Sequence, residues 1–598
     1  MKKKKLISTI TLAFIITGCL GTSLLGCKNS SSSNNNNFKV SEDDSFSWDN
    51  ASVYFVITDR FYDGDKTNNN SYGRVSEDST GSTNGTFHGG DIKGLTKKLK
   101  EGYFSNLGIN AIWISPPVEQ IHGFCTGGSG EFAHYGYHGY YSLDWSSIDK
   151  NMGTVEDMRE FVDEAHSQGI RVIMDVVMNH TGYVTLQDMV DYDFYPTKND
   201  NKDIANWTPS SSQNWSSYHD EIIDYSGHEE EWAKWWGSDW IRAGVPGYTT
   251  GEGDILGNLS DLPDIKTEVT EDVGLPPILE RKWKKDEEEK NDDWIIPSAV
   301  KYRTDLKVSP CEYIEKWLSA WVEEFGIDGF RCDTAKHIDM FRWKELKSAC
   351  SQALNTWRKN NPDKAGAKWT DDFWMTAEVY GAGLEKTEYF DNGFDSTINF
   401  KFSKNEELDK LENLYSKYAE AINTDPNFNV LSYISSHDEG LTRGKDNMIN
   451  YGTKLLLAPG GIEIFYGDES NRQGFTNTIT TAVDQGSRSD MNWDSLDEAS
   501  LKHWQLLGQF RRKHLSIGAG EHKMISEKDP YVFSRTYKDD KVIIAVNASG
   551  DTSIDVSSIW QDGTEIQDYY TKNKCKVSNG KVKFKANENG VILLEEVK

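Results

Sequence analysis

An α/β chain folded as a (β/α)8 (TIM) barrel, with a subdomain inserted after the third strand and a C-terminal β-sandwich domain, is what the sequence predicts. Three observations predict it. Eight short apolar runs, at 53–57, 111–114, 170–177, 327–331, 374–378, 394–397, 430–434 and 462–466, alternate with amphipathic stretches over most of the 598 residues. That is the pattern of successive βα units closing into a barrel, not of a doubly wound sheet. About 150 residues separate the third run from the fourth, far more than a βα connection needs. Polar clusters end the third, fourth, fifth and seventh runs, and barrel enzymes build their sites at the C-terminal ends of strands.

The N-terminus reads as a targeting segment. Lys2 to Lys5 form a positive start, followed by an apolar stretch to Thr17 that is too short to span a bilayer comfortably. Ile16-Thr17-Gly18-Cys19 and Leu24-Leu25-Gly26-Cys27 both resemble the bacterial lipoprotein cleavage box. Residues 1–27 are therefore expected to be a lipoprotein-type signal peptide. Residues 28–47, rich in Ser and Asn, are expected to be a flexible tether. This places the protein outside the cytoplasm, held to the membrane by a lipid anchor alone, and it is expected to be a monomer.

Barrel sequence follows at 48–182 and 305–514. Its clearest helix is 154–168, where Val155, Met158, Val162 and Ala165 make a 3-4-3 stripe behind an N-cap at Thr154, with Gly169 as the stop. The insert, 183–304, carries Trp232, Trp235, Trp236 and Trp240 at a spacing that fits a core face. Its charged run from Lys282 to Asp293 is expected to be solvated. From 515 to 598 helical signals stop, and runs at 531–537, 541–547, 575–577 and 582–584 between Asn/Gly/Asp turns predict a small β-domain.

Composition narrows the partners. A formal charge of −29 argues against nucleic acid and anionic membrane surfaces, which repel an acidic protein. Most of the twenty Trp and twenty-seven Tyr are expected to pack the core, and an excess beyond that would suit a protein that stacks aromatic faces on sugar rings. Beyond the leader, Cys125, Cys311, Cys332, Cys350 and Cys575 show no CxxC spacing, so a metal cluster is not expected. An exported chain could close one or two disulfides among them.

The chemistry concentrates in Gly326-Ile327-Asp328-Gly329-Phe330-Arg331-Cys332-Asp333-Thr334-Ala335-Lys336-His337. Strand alternation points Arg331 and Asp333 the same way, and a fixed guanidinium keeps the carboxylate ionised, as a nucleophile requires. The other strand ends supply Asp175 to His180, Ala377-Glu378-Val379-Tyr380 and Ser435-Ser436-His437-Asp438-Glu439. A barrel brings Asp333, Glu378 and Asp438 around one cavity. Three carboxyls cannot all ionise cheaply there, which leaves Glu378 as the proton carrier. One ionised and one protonated carboxyl is what glycosidic cleavage demands.

These four strand-end motifs, with Leu262-Pro263-Asp264-Ile265 in the insert, resemble those of the α-amylase family, family 13 of the glycoside hydrolases. The resemblance runs from about Val53 to past Gly520, and within the family it is strongest to bacterial periplasmic α-amylases. It implies an α-glucan substrate and a retaining mechanism, with Asp333 as nucleophile, Glu378 as acid and base, and Asp438 as transition-state stabiliser. Tyr140, His180, Arg331, Lys336, His337 and His437 match sugar-contacting positions. Ca2+ is the implied metal, on Asn179, Asp264 and the His337 carbonyl. A second calcium loop of the type found in cyclodextrin-forming relatives is implied at Asp63, Asp65, Asn68, Asn69, Gly89 and Asp91. Oxygen donors of this kind suit calcium and not zinc. Cyclodextrin formation and binding without catalysis are the alternatives the sequence leaves open.

Overall fold

A computed structural model describes residues 46–597, apart from 291, 444–446, 476–482 and 529. The predicted leader and residues 28–45 of the tether lie outside the described residues. No described helix is long and apolar enough to cross a membrane.

Eight parallel strands close into a barrel: β1 (Ser52–Val56), β2 (Ala111–Ile114), β3 (Arg171–Val176), β4 (Gly329–Cys332), β5 (Trp374–Ala377), β6 (Ser396–Asn399), β7 (Val430–Ser432) and β8 (Gly461–Phe465). Each lies within two residues of an apolar run read from the sequence. Closure is by register, with Ser52 opposite Ile462 on one side of β1 and Val53 opposite Ala111 on the other. The strands are buried along their whole length, as in a sheet covered on both faces.

Helices surround the barrel: α1 (Ile92–Lys100), α2 (Val155–Ser167), α3 (Pro277–Glu289, in the insert), α4 (Pro310–Phe325), α5 (Met340–Asn360), α6 (Leu411–Thr424), α7 (Met448–Leu456) and α8 (Glu498–Lys513). α2 begins as its sequence requires, with the Thr154 side chain and Asp157 capping each other reciprocally. α4 stops at Gly326, whose φ of 74° few other residues adopt; a Cβ there would lie 2.4 Å from the Trp357 ring. That stop turns the chain directly into β4. The regular alternation fails once: a short 3-10 segment, Glu388–Asn392, stands where a helix after β5 is expected.

Two other expectations are corrected, and one excursion was not foreseen. The segment between β2 and α2 is an excursion with antiparallel pieces, Val118–Gln120 against Ser142–Ile148 and Cys125–Gly127 against Phe132–His134. The charged run is not all solvated: Lys282 of α3 is buried, with Nζ 2.8 Å from Glu119, 3.1 Å from Asp144 and 2.9 Å from Asp286. All five described cysteines are free thiols, so no disulfide forms among them. Trp232, Trp235, Trp236 and Trp240 are core as expected, although only Glu229–Trp232 is helical.

The C-terminal domain has eight strands where four were legible: β9 (Glu521–Ser526), β10 (Tyr531–Tyr537), β11 (Asp540–Val546), β12 (Asp551–Asp555), β13 (Glu565–Asp568), β14 (Lys574–Lys576), β15 (Lys581–Lys585) and β16 (Ile592–Glu596). They form a six-stranded sheet and the β12–β15 pair. Ile543, Ile566 and Leu594 of the first meet Ile554, Val582 and Phe584 of the second in one apolar core. His514, after α8, ties this domain to the barrel through Asp540 at 2.7 Å and Glu595 at 2.8 Å.

Candidate active site

Register assembles the site. β4 pairs with β3 so that Arg331 lies opposite Asp175, and with β5 so that it lies opposite Thr376. The buried Arg331 guanidinium is therefore aimed along the barrel interior, where it meets three carboxyls. Nη1 is 3.1 Å from Asp175 and 2.7 Å from Asp333, and Nη2 is 3.3 Å from Glu378. One cation thus holds two of the expected carboxyls within the span of its own fork, and Asp333 does share its side as alternation requires.

The environments push these carboxyls apart. Burial disfavours ionisation of Asp333, but Arg331 and His180 outweigh it and hold its pKa well below the usual value. Burial, together with repulsion from Asp333 and Asp438, pushes Glu378 up to about 8 despite Arg331. Asp438 is more open, with a side chain 44% exposed. The pocket's desolvation opposes its anion, while His437 and Arg488 favour it, and its pKa is lowered. At neutral pH Asp333 and Asp438 are therefore carboxylates and Glu378 a carboxylic acid.

The predicted sugar contacts surround this centre. His180 Nε2 is 3.7 Å from Asp333. His437 Nε2 is 3.1 Å from Asp438 and 3.0 Å from the Tyr140 hydroxyl, and burial lowers the His437 pKa to about 4, so the ring is neutral. Tyr140 lies parallel to His437, with ring centroids 5.5 Å apart, and donates to Asp175 at 2.9 Å. Lys336 and His337 instead meet the insert: Lys336 Nζ is 3.2 Å from the Asp254 carboxyl and His337 Nδ1 2.7 Å from the Asp254 carbonyl. A cavity of about 20 Å3, room for roughly one water, lies between Trp113, Arg331, Glu378, His437, Asp438 and Glu463.

Sequence reading missed several of these groups. Asp175 was visible as the start of a motif but had no role. It accepts from Arg331, Tyr140 and, at 3.1 Å, from Trp113, and burial raises it to about 7. Arg488 binds Asp438 at 2.9 Å and the His437 carbonyl at 3.2 Å. Nothing in its local pattern marks it, because its partners lie 50 residues away. Glu463 on β8 is a buried carboxyl whose alternation with Ile462 and Ile464 could have signalled a polar barrel interior.

The implied metal residues fit unequally. At the first site the Asn179 side-chain oxygen faces the His337 carbonyl at 3.1 Å and Asp264 Oδ1 at 3.2 Å with no donor between them. A cation among the three oxygens would resolve that, as would a turned amide. Arg242 neutralises the other Asp264 oxygen at 2.9 Å. At the second site Asp63 Oδ1, Asn68 Oδ1 and Asn69 Oδ1 are buried with no hydrogen-bond partner. Gly89 approaches so closely that a Cβ would sit 2.6 Å from the Asn69 amide. Asp65 does not join by its side chain: Lys93 and Thr67 take its carboxylate. Asp91 accepts from the Gly64, Asp65 and Gly94 amides while capping α1. Oxygen donors without nitrogen or sulfur ligands are the chemistry of a hard cation.

A closed parallel barrel with ionised and protonated carboxyls gathered at its strand ends has the form of a glycoside hydrolase, and the family matches make it one. The chain belongs to the α-amylase family. The family's catalytic domain model matches residues 55–242 and 278–505, and the α-amylase C-terminal domain model matches 520–592. It is 45% identical over 517 residues to a periplasmic α-amylase of Escherichia coli (strain K12), covering 83% of this chain and 72% of that protein. To a cyclomaltodextrin glucanotransferase of Geobacillus stearothermophilus it is 24% identical, covering 85% of this chain but only 61% of that longer protein. The fold also matches the crystal structure of an α-amylase from Geobacillus thermoleovorans complexed with acarbose. That match has a TM-score of 0.59 and 20% identity, over 92% of this chain and 99% of the other.

Proposed function

We propose that the protein is a retaining, endo-acting α-amylase that hydrolyses internal α-1,4-glucosidic bonds of starch, glycogen or maltodextrins. The observation that carries this reading is the Arg331 fork shared by an ionised Asp333 and a protonated Glu378. A retaining pair needs its carboxyls about 5–5.5 Å apart, one as nucleophile and one as acid. Asp333 attacks the anomeric carbon and forms the glycosyl-enzyme, while Glu378 gives its proton to the leaving glycosidic oxygen. Glu378, now ionised, takes a proton from water as that water attacks the same carbon and releases Asp333. Asp438, anionic beside Arg488, favours the oxocarbenium-like charge between these states and binds sugar hydroxyls. His180 and the neutral His437 offer hydrogen bonds to the hydroxyls of the sugar at the cleavage point, and Tyr140 offers its ring face. Lys336 and His337, which meet Asp254 of the insert, are assigned to the leaving-sugar side by the family resemblance.

Calcium is the cofactor we assign. Asn179, Asp264 and the His337 carbonyl would hold one ion, and Asp63, Asn68, Asn69 and Gly89 a second beside Asp91. A bound ion would supply fixed positive charge that ties the insert to the strand ends. We further assign the protein to the extracytoplasmic side of a bacterial membrane, as a monomer anchored by lipid on Cys19 or Cys27. The leader motif supports this, and so does the similarity to a protein named as periplasmic. Labelled palmitate should enter the protein and be lost in whichever of Cys19→Ser and Cys27→Ser removes the modified thiol.

The decisive experiment replaces Asp333 by Asn and Glu378 by Gln. Each variant should lose at least ~10²–10⁴-fold in release of reducing ends from soluble starch, the scale of one acid–base group, while starch binding survives. Near-normal turnover in either would overturn the assigned roles. A second reading, transfer of the glycosyl group to a sugar hydroxyl, is supported by the similarity to the glucanotransferase. Rings among the chromatographed products would favour it over linear oligomers.

A further inference from the structure

Glu463 lies at the floor of the site, and the proposed chemistry does not use it. It sits on β8 between Ile462 and Ile464, opposite Val53 of β1, and is 2% exposed. Barrel interiors are filled mainly by branched aliphatic side chains, so a buried carboxyl here is costly. Among the described residues no hydrogen bond or ion pair reaches it. Burial pushes its pKa well above the usual carboxylate range despite Arg331, and Asp468, Asp175 and Asp438 add to the rise. It is therefore an uncharged acid, with an O–H to donate and a carbonyl oxygen to accept.

Its neighbours are short of partners too. Glu463 lines the cavity of about 20 Å3 together with Arg331, Glu378, His437 and Asp438. Arg331 Nε and His437 Nδ1 are both buried without a hydrogen-bond partner. Thr376 and Ser396, which follow Arg331 in register on β5 and β6, likewise keep buried hydroxyls unpartnered. An unmade hydrogen bond in a dry interior is expensive, and buried polar groups are normally satisfied by protein or by water. The cavity has room for one water, and a buried water takes about two to four polar partners. Glu463, Arg331 and His437 supply them.

We propose that Glu463 is a positioning residue of the active site: through one water in this cavity it completes the hydrogen bonding of Arg331 and His437 from beneath the sugar. The Arg331 fork holds Asp333 on one side and Glu378 on the other, so what fixes the fork fixes that pair. An uncharged Glu463 does this without adding an anion beside Glu378. The proposal rests on the α-amylase reading above and adds to it a group that touches no sugar.

Steady-state assays of the whole protein on soluble starch, run across the pH range, test it. Glu463→Ile matches its strand neighbours but leaves the water without its acid. It should lower kcat about tenfold or more, the scale of a displaced catalytic group, with KM within about twofold of the parent. The alkaline limb should move up by roughly half a pH unit or more, because a freer Arg331 and a drier Glu378 both disfavour the Glu378 anion. Glu463→Gln, which offers a donor and an acceptor without charge, should restore the limb and bring kcat to within about threefold of the parent. Should Glu463→Ile fail to fold, as its melting curve would reveal, the more adaptable Glu463→Met carries the test. Near-parent kcat and an unmoved limb in the apolar variant overturn the positioning role while leaving the function intact. Glu463→Gln as impaired as Glu463→Ile also overturns it, since charge or proton transfer and not hydrogen bonding would then be at work. If the unmodified protein releases no reducing ends from starch, the α-amylase reading falls, and the positioning role with it.

Discussion

The Thr334 amide donates to Glu378 Oε2 at 2.7 Å from a backbone with φ of 48°. A β-branched residue is a conformational outlier there, and such strain costs on the order of 1–3 kcal/mol. It persists because the chain must turn sharply after Asp333, putting that carboxyl and the next residue's N–H on two sides of one pocket. The hydrogen bond favours the charged form of Glu378, and burial and the neighbouring carboxylates outweigh it.

Thr334→Gly keeps the N–H and removes the Cβ that makes the conformation costly. Glycine's greater freedom in the unfolded chain offsets part of that gain, about 0.4–1 kcal/mol. The variant is expected to match or exceed the parent in stability, by up to ~2.5 kcal/mol, with turnover of the same order. Urea denaturation and starch assays check both. A loss of 2 kcal/mol would mean that the side chain, not the backbone, is what the fold needs at this position.

The pH profile follows from Glu378. Its protonated form is the active one in the proposed mechanism, and its pKa is raised to about 8. Activity should therefore be full below that value and fall about tenfold per pH unit above it. The Asp333 pKa is depressed, so ionisation of the nucleophile should set no acid limb above pH 4. Measured kcat/KM from pH 4 to 10 tests this. An alkaline limb near pH 5 would mean that Glu378 titrates as an ordinary carboxyl and is not the proton donor.

What could be read in advance divides along physical lines. β1 to β8 were legible because strands buried on both faces are mostly short apolar runs, and α2 because Thr154 and its stripe are local signals. Arg331 and Asp333 were legible because their relation is two residues long. Lys282 was misread for the opposite reason: its charge neighbours in sequence point to solvent, and Glu119 and Asp144, which bury it, lie 163 and 138 residues away. The antiparallel pieces between β2 and α2 escaped because three of the four are three residues long, too short to carry a period. Arg488 escaped because its contacts with Asp438 and His437 exist only once β7 and the segment after β8 come together.

Chelation should separate the two calcium assignments. Ligand binding to the native state alone stabilises by about 4 kcal/mol at a thousandfold excess over Kd. EDTA is therefore expected to lower the melting temperature, and added calcium to restore it. Asn68→Ala should remove the response of the loop carrying Asp63 and Asn69, and Asn179→Ala that of the junction between β3 and the insert. A melt indifferent to EDTA in the unmodified protein would count against both sites.

Lys282 provides the strongest test of how the insert is held. Burial disfavours its ammonium, yet Glu119, Asp144 and Asp286 overcome this and hold its pKa well above the usual value. All three carboxyls have other donors: Arg303 pairs with Asp286 at 2.5 Å, His122 reaches Glu119 at 3.0 Å and the Trp283 indole reaches Asp144 at 2.8 Å. Glu119 and Asp144 remain buried acids that need the Lys282 cation all the same. Removing one partner of a buried ionic cluster costs about 3–5 kcal/mol, because the charges left behind are uncompensated. Lys282→Met should therefore destabilise the protein on that scale by urea denaturation, with faster amide exchange in α3. Adding Glu119→Gln should recover part of the loss by removing one of the stranded charges. If Lys282→Met instead fell within 1 kcal/mol of the parent, aromatic packing around Trp283 would be holding the insert, and the ion cluster would be incidental.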